Sequence, residues 1–512
     1  MLYMSVRFFC VRKSAVSDTR PFRLVVNKAA QLPDIAGVYL ITDQGSNLMD
    51  RVFQALRGGI SVLQYRAKGL DYGERLVEAG DLKRLSARFS TTFIVNDDLR
   101  LAHEVDADGV HLGQDDGDIA EARELLGPDK IIGKSTHNRE EALQAEREGA
   151  DYIGFGALYP TGSKVISYLP GVEGLASIRG AVKIPIVAIG GITPGNACRV
   201  IDAGADALAV ISSVLASPRP DIAAAELLLL FNRVRPFPRG AVLSVAGSDS
   251  GGGAGMQADL KTITLLGSYA ATVLTALTAQ NTRGVSSIHG LPPSFMRDQL
   301  DAVLNDIPID VIKTGMLHTP AMIAALAERL GERKVLIPLV IDPVMIAKGG
   351  APLLEREAVQ VFSDLLLPLA YLLTPNVPEA ERLLGRTIKN EQDMEQAARD
   401  LHQMGAANVL VKGGHLSGRT ATDVLFDGSR CHHFSSERMF TTNTHGTGCS
   451  YASAIATLLA QGEPLLIAVE RAKTFITSAI RSARSLGKGH SPVNHFLAAQ
   501  ELLKKDYSHD SA

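Results

Sequence analysis

Residues 185–212 read PIVAIGGITPGNACRVIDAGADALAVIS. The stretch starts with the apolar run 185–189, passes through the glycine pair Gly190-Gly191, continues as a helix-like segment and ends in a second apolar run at 206–211. A strand, a helix and a second strand in this order connect neighbouring strands of a parallel sheet. The stretch therefore predicts an α/β fold.

The same alternation of a short β-rich run and a helix-like stretch repeats from Gly37 onward. Eight such units within roughly 200 residues are the period and length of a TIM (β/α)8 barrel. A doubly wound open sheet is the alternative, but the count of eight and the glycine pair after the seventh run favour closure. The predicted strands are 37–42, 61–66, 92–96, 108–112, 131–135, 151–155, 185–189 and 206–211.

Charged residues follow several of these runs, at the barrel end where chemistry concentrates. Asp97 and Asp116 follow neighbouring strands and suit Mg²⁺, which prefers oxygen ligands and keeps substrate phosphates in its shell. Arg66, Lys68 and Lys164 suit a polyphosphate. The sequence therefore predicts a magnesium-dependent phosphate site at one rim of the barrel.

Glycines and hydroxyls complete this rim. Those after the seventh and eighth strands lie where barrels commonly bind a second phosphate through backbone N–H groups. His111 and His137 are expected to be structural histidines rather than ligands. The remaining polar residues of the rim are Gln64, Asn96, Gln114, Asp115, Ser135, Thr161, Ser163, Gly190, Gly191, Ser212 and Ser213.

The segments YLITD, QYRAK, VNDD, GVHLGQDD, IGKSTH, DYIGFGALYPTGSK, IVAIGGI and ADALAVISS, in this order, resemble the thiamine-phosphate synthase family over about residues 35–235. The resemblance implies transfer of hydroxymethylpyrimidine diphosphate onto a thiazole phosphate, which yields thiamine phosphate and pyrophosphate. It assigns Gln64, Tyr65, Arg66, Ala67, Lys68, Asn96, Ser135 and Lys164 to the pyrimidine diphosphate, Asp97 and Asp116 to Mg²⁺, and Thr161, Gly162, Ser163, Gly191, Ile211 and Ser212 to the thiazole phosphate.

Two positions depart from the family pattern. Ser163 stands where the family usually has Thr, so a hydroxyl is kept. Asp98 stands where an Arg is common, which removes one positive charge near the rim. Neither departure breaks the expected site.

The segment 217–240 joins this half to the next. Asp221 is the expected N-cap of a last barrel helix that carries 227–231 and stops before Pro236. RPFPRG then reads as a short, stiff linker. We expect a barrel at 31–235, a second domain at 236–512 and a flexible extension at 1–30.

The second half opens with VAGSDSGGGAGMQADLKT (245–262), a strand that enters a glycine cluster before a helix. A stronger signal is THGTGCSYASAIA (444–456), where small residues lead into an apolar helix. The backbone amides of Gly446, Thr447, Gly448 and Cys449 are suited to a transferring phosphoryl group. Cys449 in that turn is expected to have a lowered pKa and to deprotonate a substrate hydroxyl. The alternative for this cysteine alone is a buried small hydrophobe.

Apolar runs that end in polar groups lie between these two motifs, as in an open α/β sheet that binds ligands at the carboxyl ends of its strands. Asn376 and Glu379 are spaced to direct water or Mg²⁺ toward phosphates. Lys412 is suited to a nucleotide phosphate, and Asp342 to a position near the metal.

GSDSGGGAGMQADLKT, TALTAQNT, DPVMIAKGG, TPNVPEAE and THGTGCS resemble the ribokinase-like superfamily, and within it hydroxymethylpyrimidine/phosphomethylpyrimidine kinase, over nearly all of 240–500. The resemblance implies a three-layer α/β domain that uses Mg·ATP to convert the pyrimidine alcohol to its diphosphate. It assigns Gln280 and Asp249 to the pyrimidine, Cys449 to base catalysis, and Asp342, Asn376, Glu379, Lys412, Gly446 and Gly448 to ATP and Mg²⁺.

Two other functions stay open at this point. The kinase half could act on another vitamin-like alcohol such as a pyridoxine, which Gln280 and TALTAQNT disfavour. The barrel could be an idle binding module, which its retained cations and aspartates disfavour. If both halves are active, the product of the kinase is the pyrimidine substrate of the barrel.

The amino-acid composition excludes several other classes of protein. The chain has 512 residues, 46% hydrophobic and 21% charged, with a net charge of −3, which excludes a disordered protein and gives no basic field for nucleic acid. Its four cysteines lack metal-ligand spacing, and no apolar run is long enough for a membrane helix. We expect a cytoplasmic enzyme with small-molecule substrates, homo-oligomerisation being allowed. The basic segment 1–30 leaves an organelle transit peptide as the alternative.

Overall fold

The computed structural model describes residues 35–161, 168–345 and 356–509. The predicted extension 1–30 lies outside these residues, as do Gly162, Ser163 and Lys164 of the expected barrel site. Part of the DPVMIAKGG motif, from residue 346 onward, also lies outside them.

The first half is a closed barrel of eight parallel strands in sequential order. Each strand lies within one or two residues of its predicted range, so the barrel is confirmed and the open sheet is wrong. The strands are β1 Gly37–Ile41, β2 Val62–Tyr65, β3 Thr92–Asn96, β4 Gly109–Leu112, β5 Ile131–Thr136, β6 Tyr152–Gly156, β7 Ile186–Ile189 and β8 Ala207–Val210. The helices are α1 Leu48–Arg57, α2 Tyr72–Phe89, α3 Leu99–Glu104, α4 Ile119–Leu126, α5 Arg139–Glu148, α6 Gly171–Arg179, α7 Pro194–Asp202, α8 Ser212–Leu215 and α9 Pro220–Leu229.

Alternating side chains of each barrel strand enter two different cores, because successive residues of a strand point to opposite faces. Tyr39 and Ile41 belong to the cluster inside the barrel. Val38 and Leu40 belong to the larger cluster between the strands and the surrounding helices. Burial on both faces explains why the strands read as continuous apolar runs.

Helix α9 begins differently from the prediction. Arg219 is its N-cap residue and Pro220 occupies its first position, so the assignment of Asp221 as N-cap is wrong. Proline is suited to that position because its missing N–H would have no helical partner there. Asp221 lies in the first turn and pairs with the Arg219 guanidinium at 3.0 Å. The helix tightens into a 3₁₀ turn at Leu230–Val234, before Pro236 as expected.

The second half is a nine-stranded sheet in the order β11-β10-β9-β12-β13-β14-β15-β16-β17. The strands from β10 to β15 in this order run parallel, and β11, β16 and β17 are antiparallel to their neighbours. The strands are β9 Ala241–Asp249, β10 Tyr269–Asn281, β11 Gly284–Gly290, β12 Val311–Thr314, β13 Leu339–Ile341, β14 Leu372–Leu373, β15 Asn408–Val411, β16 Thr420–Phe426 and β17 Cys431–Glu437.

Helices cover both faces of this sheet, which confirms the predicted three-layer arrangement. One apolar cluster lies under α11, α12 and α15, and the other under α10, α16, α17 and α18. The helices are α10 Gly255–Leu265, α11 Pro293–Leu304, α12 Pro320–Gly331, α13 Arg356–Val361, α14 Val377–Leu384, α15 Glu391–Gln403, α16 Thr447–Ala460, α17 Leu465–Arg481 and α18 His495–His509. In the described part of the chain, no helix is long and apolar enough to span a membrane.

A buried ion pair connects α10 to the middle of this sheet. The Lys313 ammonium on β12 lies 2.9 Å from both carboxylate oxygens of Asp259, and both side chains are fully buried. Ser244 and Ser453 donate hydrogen bonds to the same carboxylate at 2.6 and 2.7 Å. A charge in such a place is tolerated only because its partners replace the water it has lost.

Breaking this pair from one side is expected to destabilise the second domain. Lys313→Met leaves the Asp259 carboxylate buried without its counter-ion, which costs about 3–5 kcal/mol of unfolding free energy. Urea unfolding followed by far-UV circular dichroism measures the loss. The double variant Lys313→Met/Asp259→Leu should recover part of it, since neither charge then remains. A single variant as stable as the wild type would contradict the argument.

Candidate functional sites at the two strand edges

A cavity of about 440 Å³ opens at the carboxyl ends of the first barrel strands. Its lining includes six residues that the sequence assigned to the diphosphate or the metal: Arg66, Ala67, Lys68, Asn96, Asp97 and Asp116. Arg75 and Glu121 also line it and were not predicted, because they lie on α2 and α4 rather than at strand ends. Asp98, which replaces an Arg of the family pattern, accepts a hydrogen bond from Leu101 as N-cap of α3 and pairs with Arg75 at 2.9 Å.

The carboxylates of Asp97 and Asp116 face each other across this cavity. Burial and then the charge of Asp116 raise the pKa of Asp97 to about 6. A side chain on Gly113 would lie 2.3 Å from the Asp116 carboxylate, so only glycine leaves that carboxylate its room. Two mutually repelling carboxylates fit a divalent cation, which removes the repulsion.

The metal must take its other ligands from elsewhere. Across the described ranges, no group of three His, Cys, Asp or Glu side chains is arranged to hold a metal ion. A pair of carboxylates completed by substrate oxygens and water is the usual arrangement for Mg²⁺. The donor set of this rim therefore fits magnesium and a phosphate-bearing substrate together.

Hydrogen bonds fix the amides and backbone beside the metal pair. The Gln64 side-chain amide donates a hydrogen bond to the side-chain oxygen Oδ1 of Asn96 at 2.6 Å. The side-chain nitrogen Nδ2 of Asn96 in turn donates to the Asp97 carboxylate. Thr42 and Arg66 exchange hydrogen bonds at 2.8 and 3.1 Å, which sets the end of β2. Tyr65 differs from its neighbours, because its hydroxyl donates to Glu78 of α2 at 2.8 Å. Only the backbone of Tyr65 therefore reaches the rim.

A chain of hydrogen bonds runs from the barrel interior to Ser135. His111 bonds the Ser135 hydroxyl at 2.9 Å through Nε2 and the Tyr152 hydroxyl at 3.0 Å through Nδ1, and Tyr152 bonds Tyr39 at 2.8 Å. Burial and then the charge of Lys134 lower the pKa of His111 to about 4, so the ring is neutral. The expectation that His111 is a structural histidine agrees with these bonds, but its link to Ser135 was missed.

Lys134 is another residue that the sequence analysis missed. Its ammonium is almost fully buried and donates to the carbonyls of Gly113 and Gly117 at 2.8 and 3.0 Å. These bonds hold the loop that carries Asp116. The signal that could have identified Lys134 is a charged residue inside the otherwise apolar and small-residue strand β5, directly before the predicted ligand Ser135.

The residues assigned to the thiazole phosphate follow β6, β7 and β8. Gly191 has a φ of 62°, and a side chain there would lie 2.5 Å from the Pro160 carbonyl, so the loop before Thr161 closes on this glycine. Ile211 and Ser212 lie at the start of α8, and the neighbouring Ser213 donates to Ile192 at 2.5 Å. Thr161, Gly191, Ile211 and Ser212 thus lie on adjacent strand ends.

The repulsion between Asp97 and Asp116 predicts a stability cost without metal. The pKa of Asp97 is higher in the folded chain than in the unfolded one, so ionisation above pH 6 opposes folding, and protonation at lower pH relieves it. Asp97→Asn should add on the order of 1 kcal/mol at pH 8, given its partial exposure, and nothing at pH 4. Thermal melting in metal-free buffer at the two pH values measures this difference.

The matched control is Asp115→Asn, an exposed carboxylate one residue from Asp116. It should leave the melting temperature unchanged at both pH values. An Asp97 variant that melts at or below the wild-type temperature at pH 8 would show that the two carboxylates do not repel.

At the second site, Asp249 organises the glycine-rich loop after β9. Its carboxylate accepts hydrogen bonds from the backbone of Gly251, Gly253 and Ala254 at 2.8 to 3.0 Å. The His445 ring lies 2.9 Å from the same carboxylate. Burial opposes ionisation of Asp249, but these bonds outweigh it and lower the pKa. Most of its acceptor capacity is therefore used within the protein.

His445 also connects the glycine-rich loop to Gln280 at the end of β10. The Gln280 amide nitrogen lies 3.4 Å from the His445 ring nitrogen. The two predicted pyrimidine residues thus lie together with a histidine that was not predicted. Its position directly before the GTGC turn, in THGTGC, is the signal that was passed over.

Asp342, Lys412 and Gly448 meet at the start of α16. The Lys412 ammonium lies 2.8 Å from the Asp342 carboxylate, and both side chains are nearly buried. A side chain on Gly448 would come within 3.4 Å of Asp342 and 3.6 Å of Lys412, so the first turn of α16 faces this pair. Gly446 has a φ of 77°, and a side chain there would collide with the Gly253 carbonyl at 1.8 Å. The two glycine-rich segments are therefore in contact.

Asn376 and Glu379 form the capping box of α14. The Asn376 side chain accepts from the Glu379 N–H at 3.0 Å, and Glu379 accepts from the Asn376 N–H at 2.8 Å. Burial raises the pKa of Glu379 to about 7, although the nearby Lys412 charge favours ionisation. The N-x-x-E spacing thus starts a helix and also places a buried carboxyl next to the Lys412–Asp342 pair.

Cys449 lies in the first turn of α16 and is buried. Burial raises the pKa of its thiol to about 12, although the positive charge of Lys313 acts in the opposite direction. The expected lowering of this pKa is therefore wrong. The apolar helix and its packing remove water from the sulfur, and this cost exceeds the attraction of the helix N-terminus for a thiolate.

A larger cavity, of about 1060 Å³, is lined in part by the segment that leads into this turn, and it was not predicted. Its lining includes Arg419, Arg438, Phe440 and Asn443, and Asn443 precedes the GTGC turn by only three residues. Phe440 is 88% exposed, so an aromatic face is open to a ligand. The cavity thus provides an aromatic and cationic surface beside the segment that leads to the predicted phosphate site.

Known proteins match each half of the chain and also the whole. The family described as thiamine monophosphate synthase matches residues 38–214, and the family described as phosphomethylpyrimidine kinase matches residues 249–494. The thiamine biosynthesis bifunctional protein ThiED of Geobacter sulfurreducens is 59% identical over 486 residues, which cover 95% of this chain and 99% of that protein.

Single-domain relatives match the second half. The hydroxymethylpyrimidine/phosphomethylpyrimidine kinase of Haemophilus influenzae is 49% identical over 259 residues, covering 50% of this chain and 96% of that protein. Among solved structures, an ADP complex of Bacillus subtilis pyridoxal kinase is 38% identical with a TM-score of 0.48, and covers 51% of this chain and 99% of that one.

Proposed function

This chain belongs to the family of bifunctional thiamine biosynthesis proteins, and we propose that its two strand edges carry the two reactions with the residues described above. The second domain is a hydroxymethylpyrimidine/phosphomethylpyrimidine kinase, and the barrel is a thiamine-phosphate synthase. The kinase product is the pyrimidine substrate of the barrel. The match of both family profiles in one chain, over the whole length of a bifunctional relative, carries this conclusion.

In the barrel, Arg66, Lys68 and Lys164 bind the diphosphate of the pyrimidine substrate. The C–O bond between the pyrimidine methylene and the diphosphate breaks, and the electron pair leaves with the diphosphate. The thiazole nitrogen then forms the new C–N bond to the methylene carbon. The electron-rich aminopyrimidine stabilises the intervening cation, so the protein mainly neutralises the leaving group and holds the thiazole close. Arg66 and Lys68, which line one cavity together with Asp97 and Asp116, support this assignment.

Asp97 and Asp116 would hold the magnesium ion of the barrel. When bound, the ion neutralises part of the diphosphate charge. Ser135 receives its orientation from neutral His111 and presents its hydroxyl to the diphosphate. Gly191, Ile211 and Ser212, together with Thr161, Gly162 and Ser163, bind the thiazole phosphate.

In the kinase, Gln280 binds an edge of the aminopyrimidine, and Asp249 shapes the loop that covers it. The backbone N–H groups from Gly446 to Gly448 bind the transferring phosphoryl group, because they lie at the positive end of α16. Lys412 contacts a nucleotide phosphate. The side chains of Asp342, Asn376 and Glu379 form the acidic side of the Mg·ATP site.

The nucleoside of ATP occupies the adjoining cavity of about 1060 Å³. Phe440 offers a face for the base, and Arg419 and Arg438 offer positive charge to the ribose side and the phosphates. This assignment is supported by the lining residues 438–443, which directly precede the segment that enters the GTGC turn.

The Cys449 thiol first loses its proton to solvent, and the thiolate then accepts the proton of the substrate hydroxyl. The hydroxyl oxygen attacks the γ-phosphorus of ATP, the bond from that phosphorus to the β-phosphate oxygen breaks, and ADP leaves. The thiol is held protonated in the free protein, since burial has raised its pKa to about 12. Positive charge that binds next to the turn stabilises the thiolate. The positive charge of Lys313 acts in the same direction.

The domain boundary and the compartment belong to the same proposal. A boundary near residue 236 lies between the two matched ranges, which supports it. A cytoplasmic location is supported by the bacterial ThiED relative and by the free state of Cys198, Cys431 and Cys449 in the described part of the chain.

A single reaction mixture tests the two assigned activities. Purified protein with hydroxymethylpyrimidine, Mg·ATP and thiazole phosphate should form thiamine phosphate, measured by chromatography. Arg66→Ala should lower coupling by about 10- to 150-fold, because a lost charged hydrogen bond is worth about 1.5–3 kcal/mol. The kinase product should then accumulate as the diphosphate.

Arg88→Ala is the matched control for Arg66→Ala, since Arg88 is exposed on α2 away from the rim residues. It should leave both activities unchanged. Coupling that survives Arg66→Ala undiminished would remove Arg66 from the diphosphate site.

The raised pKa of Cys449 predicts the pH profile of the kinase. If the thiolate takes the proton, kcat should rise between pH 7 and pH 9, by at most about tenfold per unit, because the thiolate fraction grows throughout this range. Cys449→Ala should lower kcat by about 10²- to 10⁴-fold and remove the slope.

Cys431→Ala changes a half-buried cysteine on the edge strand β17 and serves as the control. It should keep the wild-type rate and slope. A Cys449 variant with the wild-type pH profile would exclude this sulfur as the base.

A further inference from the structure

The barrel contacts the kinase domain with the amino-terminal ends of its strands. Residues 58–61, between α1 and β2, lie at that end, and the Arg57 carbonyl accepts a hydrogen bond of 2.7 Å from the Leu336 N–H of the kinase domain. A side chain on Gly59 would lie 3.7 Å from Val335 of the kinase domain. The face in contact is therefore opposite to the rim that carries the synthase residues.

The kinase domain also contacts the barrel with the amino-terminal ends of its parallel strands. Leu336 precedes β13, Tyr371 directly precedes β14, and Asp310 directly precedes β12. Asp310 accepts a 2.9 Å hydrogen bond from Asn232, which also donates to the Ala460 carbonyl at 2.8 Å. Each of these contacts is made from the amino-terminal end of a parallel strand or the far end of α16. The kinase site, at the carboxyl ends, faces away.

Helix α9 holds this arrangement because both domains share it. Leu227 and Leu230 pack in the core of the barrel. Ile222 and Leu229 pack in an apolar cluster of the kinase domain. Between them, the Tyr371 hydroxyl donates to the Glu226 carboxylate at 2.8 Å. Separating the domains would expose this apolar surface and leave polar groups without partners, so they cannot swing apart at low cost.

Hydrogen bonds and ion pairs also fix the segment that connects α9 to β9. The Arg239 N–H donates to the Gly267 carbonyl at 2.9 Å, and its guanidinium donates to the Arg235 carbonyl at 2.9 Å. At the joint, Arg233 pairs with Asp202 at 2.8 Å, and Arg235 lies 3.8 Å from Asp310. These arginines are thus matched with carboxylates and do not form a cationic path for a diphosphate.

The lengths of the elements give the separation of the two sites. Helix α16 runs from the kinase site at Thr447 to the joint at Ala460, 14 residues, or about 20 Å at 1.5 Å per residue. The barrel strand β1 adds five residues, or roughly 15 Å, between the joint and the rim. With the thickness of the joint, the two sites lie on the order of 40 Å apart, at opposite ends of the two-domain unit.

We propose that the pyrimidine diphosphate made by the kinase is released into solution and reaches the synthase only by free diffusion. The reason is that the two domains contact each other through the amino-terminal ends of their strands, so both sites face outward. This inference rests on the two activities of the proposed function. The fusion of the two domains then stabilises both through the core that they share around α9, and it produces the two activities in equal amounts. It does not provide direct transfer of the intermediate.

An isotope-dilution experiment tests this inference on the full chain. Labelled hydroxymethylpyrimidine, Mg·ATP and thiazole phosphate are supplied together with a pool of unlabelled pyrimidine diphosphate. Free diffusion requires the labelled fraction of thiamine phosphate to follow that of the bulk diphosphate from the first time point. Early product that is richer in label than the bulk diphosphate would overturn the proposal.

A complementation experiment provides a second measurement. Cys449→Ala and Arg66→Ala chains, each with one active site disabled, are mixed at equal concentration and compared with wild-type protein at the same number of working sites. Equal lag and equal rate of thiamine phosphate formation are expected, and a slower mixture with a longer lag would overturn the proposal. Supplying each enzyme with its own substrate separately checks the two activities, so their failure is distinguished from a failure of the inference.

Discussion

Parallel alignment of neighbouring strands is the constraint on which both halves of this protein depend. It brings the carboxyl ends of the parallel strands to one edge and their amino ends to the other, in a closed barrel as in an open sheet. Residues far apart in the sequence, such as Asp249 and His445 or Asp342 and Lys412, thereby meet within 3 Å. The amino ends, which carry no chemistry, are left to form the joint. The same alignment thus explains both where the sites lie and why they face apart.

Each of the two sites contains a group whose ionised form is costly in the folded protein. Asp97 is held close to Asp116, and Cys449 is buried where a thiolate is costly. The repulsion between Asp97 and Asp116 reduces the stability of the protein without metal. A divalent cation bound between the two carboxylates removes this repulsion, so the same arrangement favours metal binding.

The sequence predicted most of the fold because its signal is local. Each barrel strand is buried on both faces and appears as an apolar run that ends in polar or glycine residues, so its limits could be placed within one or two residues. The errors arose where tertiary packing decides. Asp221 is a residue type common at N-caps, but Pro220 occupies the first helical position, so the helix starts two residues earlier, after Arg219. Cys449 has the local setting of a reactive thiol, but the surrounding helices remove the water that a thiolate needs.

The amino-acid sequence by itself determined the two folds, their order and the residue types at the strand ends, because periodicity and turn residues act over a few neighbours. Only the tertiary structure decided which side chains support the sites, as His111 supports Ser135 and Lys134 supports the loop of Asp116. Only the tertiary structure shows that residues of α9 pack in the apolar cores of both domains. Such contacts join residues that are distant along the chain, and their distances depend on how complete layers pack rather than on any local pattern.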